Sequence, residues 1–505
     1  MVFFRSAQHS WKDDRVRHPQ HVDLALSLSG AQPGGLRRHL AEQLRSAILR
    51  GLLIPGEALP STRVLASTYG ISRGTVVAAY EDLAGEGYVE VNPGGGTFVA
   101  LGTAMAPQGS SRTGATLDGW AAVPPVRFGP QTMSPDAGEI DLRPGHPSTR
   151  AVAHRDWTAA WRAAVSAPLP STVPPAAGMA FLRSEIAQHL RRSRGFECES
   201  HDVVISAGTS DAIALIALAL RSTRSGSPRV ACEQPGHIAA RTILTRLGAE
   251  VVLVGLAQGG MDLDSLGSTE HLDAALVTPS HQYPLGGRLD VTRRLELLEW
   301  ANLRDALIVE DDYDSEFRHG ASALPSIASL DRASRVVHVG SFSKVLSPWL
   351  RCGYIVTKNR EFRDALLEMR TTLGSPVSGV MQDALARYLG AGGLRRHLAR
   401  ARREYGHRRQ LIAGRLAGLD AGVALDALDG GLHAVLSWPR GHPAAAVRSA
   451  LAIRGVLVGD LDDYYGSDVT APRDGIVIGY GACTDLELTL VLDILRGALL
   501  SSRRE

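Results

Sequence analysis

Gly340-Ser341-Phe342-Ser343-Lys344 is the stretch that decides how this chain is read, because Lys344 is one of only three lysines among 54 Lys and Arg residues. Where nearly every other cation is arginine, lysine offers a nitrogen that can lose its proton and condense with an aldehyde. Upstream, the apolar run Ala306-Leu307-Ile308-Val309 leads into Glu310-Asp311-Asp312-Tyr313-Asp314, which reads as a buried strand ending in carboxylates. Arg351 follows downstream. A carboxylate, an aldehyde-capturing lysine and a phosphate-binding arginine are the groups that pyridoxal 5′-phosphate (PLP) requires, so the three together point to that cofactor.

The rest of the chain bounds this reading. Its 505 residues exceed one compact core, and two or three domains are expected. A formal charge of +2 and 44% hydrophobic residues describe a soluble globular protein. No apolar run is long enough to span a bilayer, so no membrane partner is expected. Arg5, Lys12, Arg15 and Arg17 near the amino end are not followed by an apolar segment, which argues against a secretory signal. Cys198, Cys232, Cys352 and Cys483 are widely separated, as free thiols in a reducing cytoplasm would be, and no metal site is expected from them.

Four segments are expected: a flexible stretch over residues 1–32, a small domain over 33–100, a linker over 101–137 and a large domain over 138–505. In the small domain, Leu36, Leu40, Leu44 and Ile48 recur at helical spacing, with Gly51 beyond them. Ser61 and Ser72 stand where caps would open a second and a third helix. Tyr88-Val89-Glu90-Val91 and Thr97-Phe98-Val99 alternate like two strands joined through Asn92-Pro93-Gly94-Gly95-Gly96. This is the outline of a winged helix-turn-helix. The linker is rich in Gly, Ser, Thr, Pro and Ala, without periodicity. In the large domain, β-rich runs at Val203–Ile205, Val230–Cys232, Val251–Leu253, Ala274–Val277, Leu307–Val309 and Val336–Val339 alternate with helical stretches. The fold class is therefore α/β, a mostly parallel sheet covered on both faces. A smaller α+β subdomain is expected from about residue 376, with strands at Ala434–Leu436 and Ile476–Ile478.

The run Gly51 to Arg63, then Leu65-Ala66, Tyr69 to Val76, Glu86-Gly87-Tyr88 and Gly94 to Val99 resembles the GntR-type DNA-binding domain, over residues 35–99. The resemblance implies double-stranded DNA as partner. The helix opened by Ser72 would enter the major groove with Arg73 and Thr75 near base edges. Arg63 would reach DNA from the preceding helix, and Gly94 in the wing would let backbone N–H groups approach phosphate. Ser72 is also readable as a cap alone. Between Pro33 and Ala100 acids and bases are equal in number, so non-specific attraction to DNA should be modest.

The runs Val277 to Gly286, Glu310 to Arg318 and Gly340 to Lys344 resemble fold-type I PLP enzymes of the aminotransferase class, and with the head the whole is similar to MocR-family regulators. The resemblance implies that Lys344 captures the PLP aldehyde, Asp311 holds the pyridine nitrogen and Tyr313 meets the phenolic oxygen. Arg351, Ser341, Thr209 and Ser210 would hold the phosphate, the last two where a helix begins after Gly208. His237 stands where the family usually has tyrosine and would stack on the ring. Asp312, Asp314 and Glu316 are read as structural or surface groups. The arginine-rich stretch from Gly393 to Arg409 is read first as a solvated helix face, and second as an auxiliary DNA contact.

Two functions follow from the resemblance. One is a regulator whose homodimer places two heads on operator half-sites and senses PLP, or a small amine or amino-acid effector, through the large domain. The other is a working aminotransferase with a vestigial head. Transamination needs a cation for the substrate carboxylate. Arg454 and Arg473 fall near the right part of the chain, but neither sits in a recognisable motif.

Overall fold

Serine side chains start two of the three helices of the amino-terminal unit. The computed structural model describes residues 26, 35–92, 95–101, 138–318, 324–419, 422–441, 446–466 and 469–501, and the chain divides into units Met1–Val123 and Pro124–Glu505. Helix α1 (Leu36–Leu49) buries Leu40, Leu44 and Ile48. Helix α2 (Thr62–Tyr69) begins where Ser61 Oγ accepts from Val64 N, and it ends at Gly70, whose φ of 63° suits glycine. Helix α3 (Arg73–Gly85) starts at Ser72, whose Oγ accepts from Thr75 N at 3.1 Å. Strands β1 (Val89–Asn92) and β2 (Gly96–Val99) pair antiparallel as the wing. Leu65, Val76, Tyr80 and Leu83 join the α1 residues in one core. Leu26 packs against that core, its N–H donating to Tyr69 Oη at 3.2 Å. The rest of the expected amino-terminal stretch, and the expected linker beyond Leu101, lie outside the described residues.

The large unit is built on seven strands: β3 (Val203–Ser206), β4 (Arg229–Glu233), β5 (Glu250–Val254), β6 (Ala274–Val277), β7 (Leu307–Asp312), β8 (Val336–Ser341) and β9 (Gly353–Thr357), in the order β3-β9-β8-β7-β6-β4-β5. All neighbours run parallel except β9, which is antiparallel to both β8 and β3. The six β-rich runs read from sequence are six of these strands, and β9 is the addition. Alternation along β7 sends Ile308 to one core and Leu307 and Val309 to the other, so both faces are covered. Each such side chain, fully buried, contributes roughly 1.5–3 kcal/mol. Among the flanking helices are α4 (Ala180–Arg194), α5 (Thr209–Thr223), α6 (Ile238–Arg246), α7 (Gly379–Gly390) and α8 (Gly393–Arg415). A second, antiparallel sheet follows, of strands β10 (Ala424–Asp426), β11 (His433–Pro439), β12 (Gly459–Asp460) and β13 (Arg473–Gly479) in the order β10-β11-β13-β12.

This topology brings functional side chains together. In β7 and β8, which are parallel neighbours, Asp311 and Ser341 come at the carboxyl ends, the edge of an α/β sheet where ligands bind. No helix among the described residues is long and apolar enough to cross a membrane.

Candidate functional site

A cavity of about 470 Å³ opens at those strand ends, a volume that suits a small-molecule ligand. All eight residues expected at the large-domain site line it, among them Lys344, Asp311, Arg351 and His237. Lys344 is held where Nζ donates to Gly145 O at 3.0 Å. Burial lowers its pKa to about 8, against the pull of Asp311 and Asp314. The amine can therefore reach its nucleophilic form near neutrality, which an exposed lysine does not.

Asp311 faces the opposite problem. Burial, helped by Asp312 and Asp314, pushes its pKa up to about 7, and its Oδ1 has no hydrogen-bond partner. A buried carboxylate left without a partner is costly, and a protonated ring nitrogen would satisfy it. Tyr313 Oη donates to His281 O at 3.0 Å. Thr209 and Ser210 open α5 after Gly208, a cap position with no side-chain cap, so the first N–H groups of a 15-residue helix are available. Ser341 Oγ accepts from Ser343 N at 3.2 Å. Arg351 has φ 43°, a conformation that a non-glycine residue adopts at a cost, and lines the same cavity.

His237 caps α6, its Nδ1 accepting from Ala240 N at 3.0 Å. Burial and the neighbouring Lys344 lower its pKa to about 4. The ring is neutral with its proton on Nε2, a flat and uncharged face of the kind that stacks on a heteroaromatic ring.

Several lining residues were not anticipated: Gly145, His146, Tyr283, Asp314, His433 and Tyr464. Asp314 is not a surface group. Its side chain is buried and accepts from His281 Nδ1 at 2.9 Å. Gly431 must be glycine, because a Cβ there would come within 2.2 Å of Asp314 Oδ2. His433 Nε2 donates to Pro284 O at 2.8 Å, and burial lowers its pKa to about 3. The sequence reading named no metal ligands, yet His281, Asp314 and His433 place N and O atoms within 4.8 Å of one another; the hydrogen bonds just given already engage each side chain. No spacing pattern announces these residues, since they come from separate parts of the chain, His281 and Asp314 from loops and His433 from the start of β11.

In the amino-terminal unit Arg63, Ser72 and Arg73 are exposed. Ser72 acts as a cap and also shares a 2.8 Å bond with Thr75 Oγ1, so both hydroxyls are engaged locally. Arg73 Nε donates weakly to Thr62 Oγ1 at 3.4 Å. Gly94 lies outside the described residues. The charge balance resolves into pairs: Arg37 with Asp82, Arg38 with Glu42 and Arg45 with Glu86. Three of six arginines are thereby neutralised, while Arg63 and Arg73 remain on the exposed side of α2 and α3.

The arginines of α8 are not a bare solvated face. Arg396 pairs with Asp156, Arg400 donates to Ala151 O, Arg402 donates to Glu316 O, and buried Arg408 pairs with Glu404 and Asp485. Arg473 is bound to Ser437 and Gly422 O, Arg454 is exposed, and neither lines the cavity.

A GntR-type winged helix-turn-helix joined to an aminotransferase-like domain is the class these two units define. Residues 36–99 match the family described as bacterial regulatory proteins, gntR family, and residues 141–463 match aminotransferase class I and II. The chain is 38% identical over 471 residues to the HTH-type pyridoxine biosynthesis transcriptional regulator PdxR of Corynebacterium glutamicum, covering 93% of this chain and 97% of that protein. It is 32% identical to the probable rhizopine catabolism regulatory protein MocR of Rhizobium meliloti (92% and 94% covered) and 33% identical to the HTH-type transcriptional regulator TauR of Rhodobacter capsulatus (84% and 88%). An archaeal alanine:glyoxylate aminotransferase superposes with a TM-score of 0.65 at 22% identity, over 72% of this chain and 91% of that one, a likeness of fold. The chain belongs to the MocR family of HTH-type transcriptional regulators.

Proposed function

We propose that the large unit holds PLP at Lys344 and that occupancy of this cavity changes how the winged helix binds its operator. The observation that carries this is the convergence of Lys344, Asp311 and Arg351 on one cavity, with an unpartnered carboxylate oxygen and an uncapped helix start beside them. When bound, PLP supplies an aldehyde for a primary amine and an electron-withdrawing ring. Lys344, its proton loosened by burial, would be the amine offered to the aldehyde; Asp311 would hold a proton at the ring nitrogen, and Tyr313 would meet the phenolic oxygen. Arg351, Ser341 and the start of α5 at Thr209 and Ser210 hold the phosphate, and His237 covers the ring. Arg63, Arg73 and Thr75 read the half-site in this proposal, with Ser72 fixing the helix start and Gly94 in the wing near phosphate.

PLP itself, rather than an amino acid, is the effector this cavity favours. Among the lining residues the only Arg and Lys are Arg351 and Lys344, both committed to PLP, and the histidines are held neutral by burial. Among the described residues no further guanidinium lines the cavity to clamp a carboxylate, which also disfavours efficient transamination. The Corynebacterium relative is named as a regulator of pyridoxine biosynthesis, which is of the same chemistry. A cytoplasmic homodimer with one head per half-site completes the proposal. Operator binding measured by fluorescence anisotropy with and without saturating PLP tests it. A change in affinity that Lys344→Ala abolishes is expected; identical titrations for wild type in both conditions would reject it.

A further inference from the structure

A second cavity, of about 500 Å³ and thus as large as the PLP cavity, lies in the same unit among α4, α7 and α8. Its polar wall is built from Arg192 and His189 of α4 and from Arg395 and Arg402 of α8, against one carboxylate, Glu185. Arg192 donates only to the neutral Gln188 Oε1, and Arg395 has no ion-pair partner among the described residues. This sets the pair apart from Arg396, Arg400 and Arg408, which the fold itself uses. In the turn Gly390-Ala391-Gly392 between α7 and α8, a Cβ at Gly392 would lie 3.2 Å from the Arg396 guanidinium and 3.7 Å from that of Arg395, so the glycine lets both guanidiniums lie against the turn. The 23-residue α8 starts there with no side-chain cap, so its first N–H groups lack a side-chain partner. Leu389, Leu394 and Leu398 supply an apolar ledge beside these donors.

We propose that this cavity is a second ligand site, for a phosphate monoester carried on a small apolar or ring body. Forked guanidiniums and free helix N–H groups are the donors that recognise a dianion, and the leucine ledge suits the body that bears it. The inner wall also leads through Glu316 and Arg194 to Asp312, next to Asp311 in β7. His189 Nε2 lies 3.4 Å from Glu316 Oε1, and Arg402 Nε donates to Glu316 O at 2.6 Å. Glu316 Oε2 is 3.4 Å from Arg194 NH2, and Arg194 Nε is 3.1 Å from Asp312, the neighbour of Asp311. An anion that draws on His189 and Arg402 competes with Glu316 for them, so its binding and that of PLP are coupled, reciprocally.

The test uses the full-length protein loaded with PLP at Lys344 and then freed of unbound PLP, which is itself a phosphate monoester on a ring, and titrates it calorimetrically with phenyl phosphate and with inorganic phosphate. Saturable binding of one phenyl phosphate per chain, tighter than phosphate alone, is expected. The exposed pair is then removed as Arg192→Gln with Arg395→Gln, which should weaken binding at least about tenfold while the visible absorbance of bound PLP stays intact. In titrations of the empty protein with PLP, phenyl phosphate should change the PLP affinity more in wild type than in the double variant, where only competition at the Lys344 site remains, and equal changes would remove the coupling. Absence of saturation, or an unchanged affinity in the double variant, would overturn the site. A double variant that lost operator affinity but bound phenyl phosphate like wild type would assign the arginines to DNA instead.

Discussion

The head and the PLP cavity use charge in opposite ways. On the head, arginines and acids are exposed or half-exposed and meet in pairs such as Arg45 with Glu86, where water screens what they gain. In the cavity the charges are few and buried, and burial moves them: Lys344 down to about 8, Asp311 up to about 7. Exposed charge keeps its ordinary character and acts by position, whereas buried charge is altered and acts by chemistry. Lys344→Ala should therefore have the largest effect of any single change, abolishing the visible absorbance band of the lysine-bound cofactor and the PLP response of operator binding, while the head still binds DNA. A variant that kept the band would place the reactive amine elsewhere. The same reasoning predicts a pH profile. Capture of PLP by the empty protein should accelerate with a midpoint near pH 8, as Lys344 loses its proton, rather than near the 10.5 of free lysine. Stopped-flow absorbance reads the midpoint directly.

Asp311→Asn sharpens the contrast further. An acid whose pKa is raised on folding favours its neutral form in the fold, so its ionisation destabilises the empty protein as pH rises from about 4 towards 7. Removing that ionisation should raise the melting temperature of the empty protein above pH 7. The variant should at the same time weaken PLP by roughly 3 kcal/mol, because the protonated ring nitrogen loses its buried partner. Thermal melts and PLP titration on the same samples check both halves. A lower melting temperature at pH 8 would mean that Asp311 is satisfied in the empty protein in some other way.

Legibility from sequence follows the same division. The parallel strands announce themselves because strands buried on both faces must be continuous apolar runs, and Leu307–Val309 is one. Strand β9, Gly353–Thr357, is as apolar, but pattern alone gives no partner or direction, and its antiparallel pairing with β3 and β8 depends on the whole sheet. Lys344 was legible by rarity and Asp311 by its place at a strand end. His433 and Tyr464 were not, because they reach the cavity from the carboxy-terminal part of the chain and form no motif with Lys344. Asp314, read as a structural or surface group, is buried, and its partner was not legible because only the fold brings His281 to it. The equal count of acids and bases in the head is legible in the sequence but its pairing is not, because only the fold brings Arg37 to Asp82 and Arg45 to Glu86.

Arg73→Ala comes next in size. Arg73 is exposed at the first turn of α3, and its one contact, to Thr62, is long at 3.4 Å, so the side chain is available to a base edge. Loss of specific operator binding by about 1–3 kcal/mol is expected, with PLP binding unchanged. Equal affinity of variant and wild type for the operator would remove Arg73 from base readout.

Arg45→Ala should show the smallest effect and tests the head's side of the comparison most directly. Arg45 donates to Glu86 at 2.6 and 2.8 Å and lies over the Tyr88 ring at 5.7 Å, yet it is partly exposed, as is Glu86. Solvent screening discounts such a pair, and its loss should cost no more than about 1 kcal/mol of head stability, less as salt is added. Because the arginine is already neutralised, its removal should leave the salt dependence of operator binding unchanged, whereas Arg63→Ala should flatten it. Equal flattening by both variants would show that Glu86 releases Arg45 to phosphate on binding, and that paired and unpaired arginines on this head differ less than their contacts suggest.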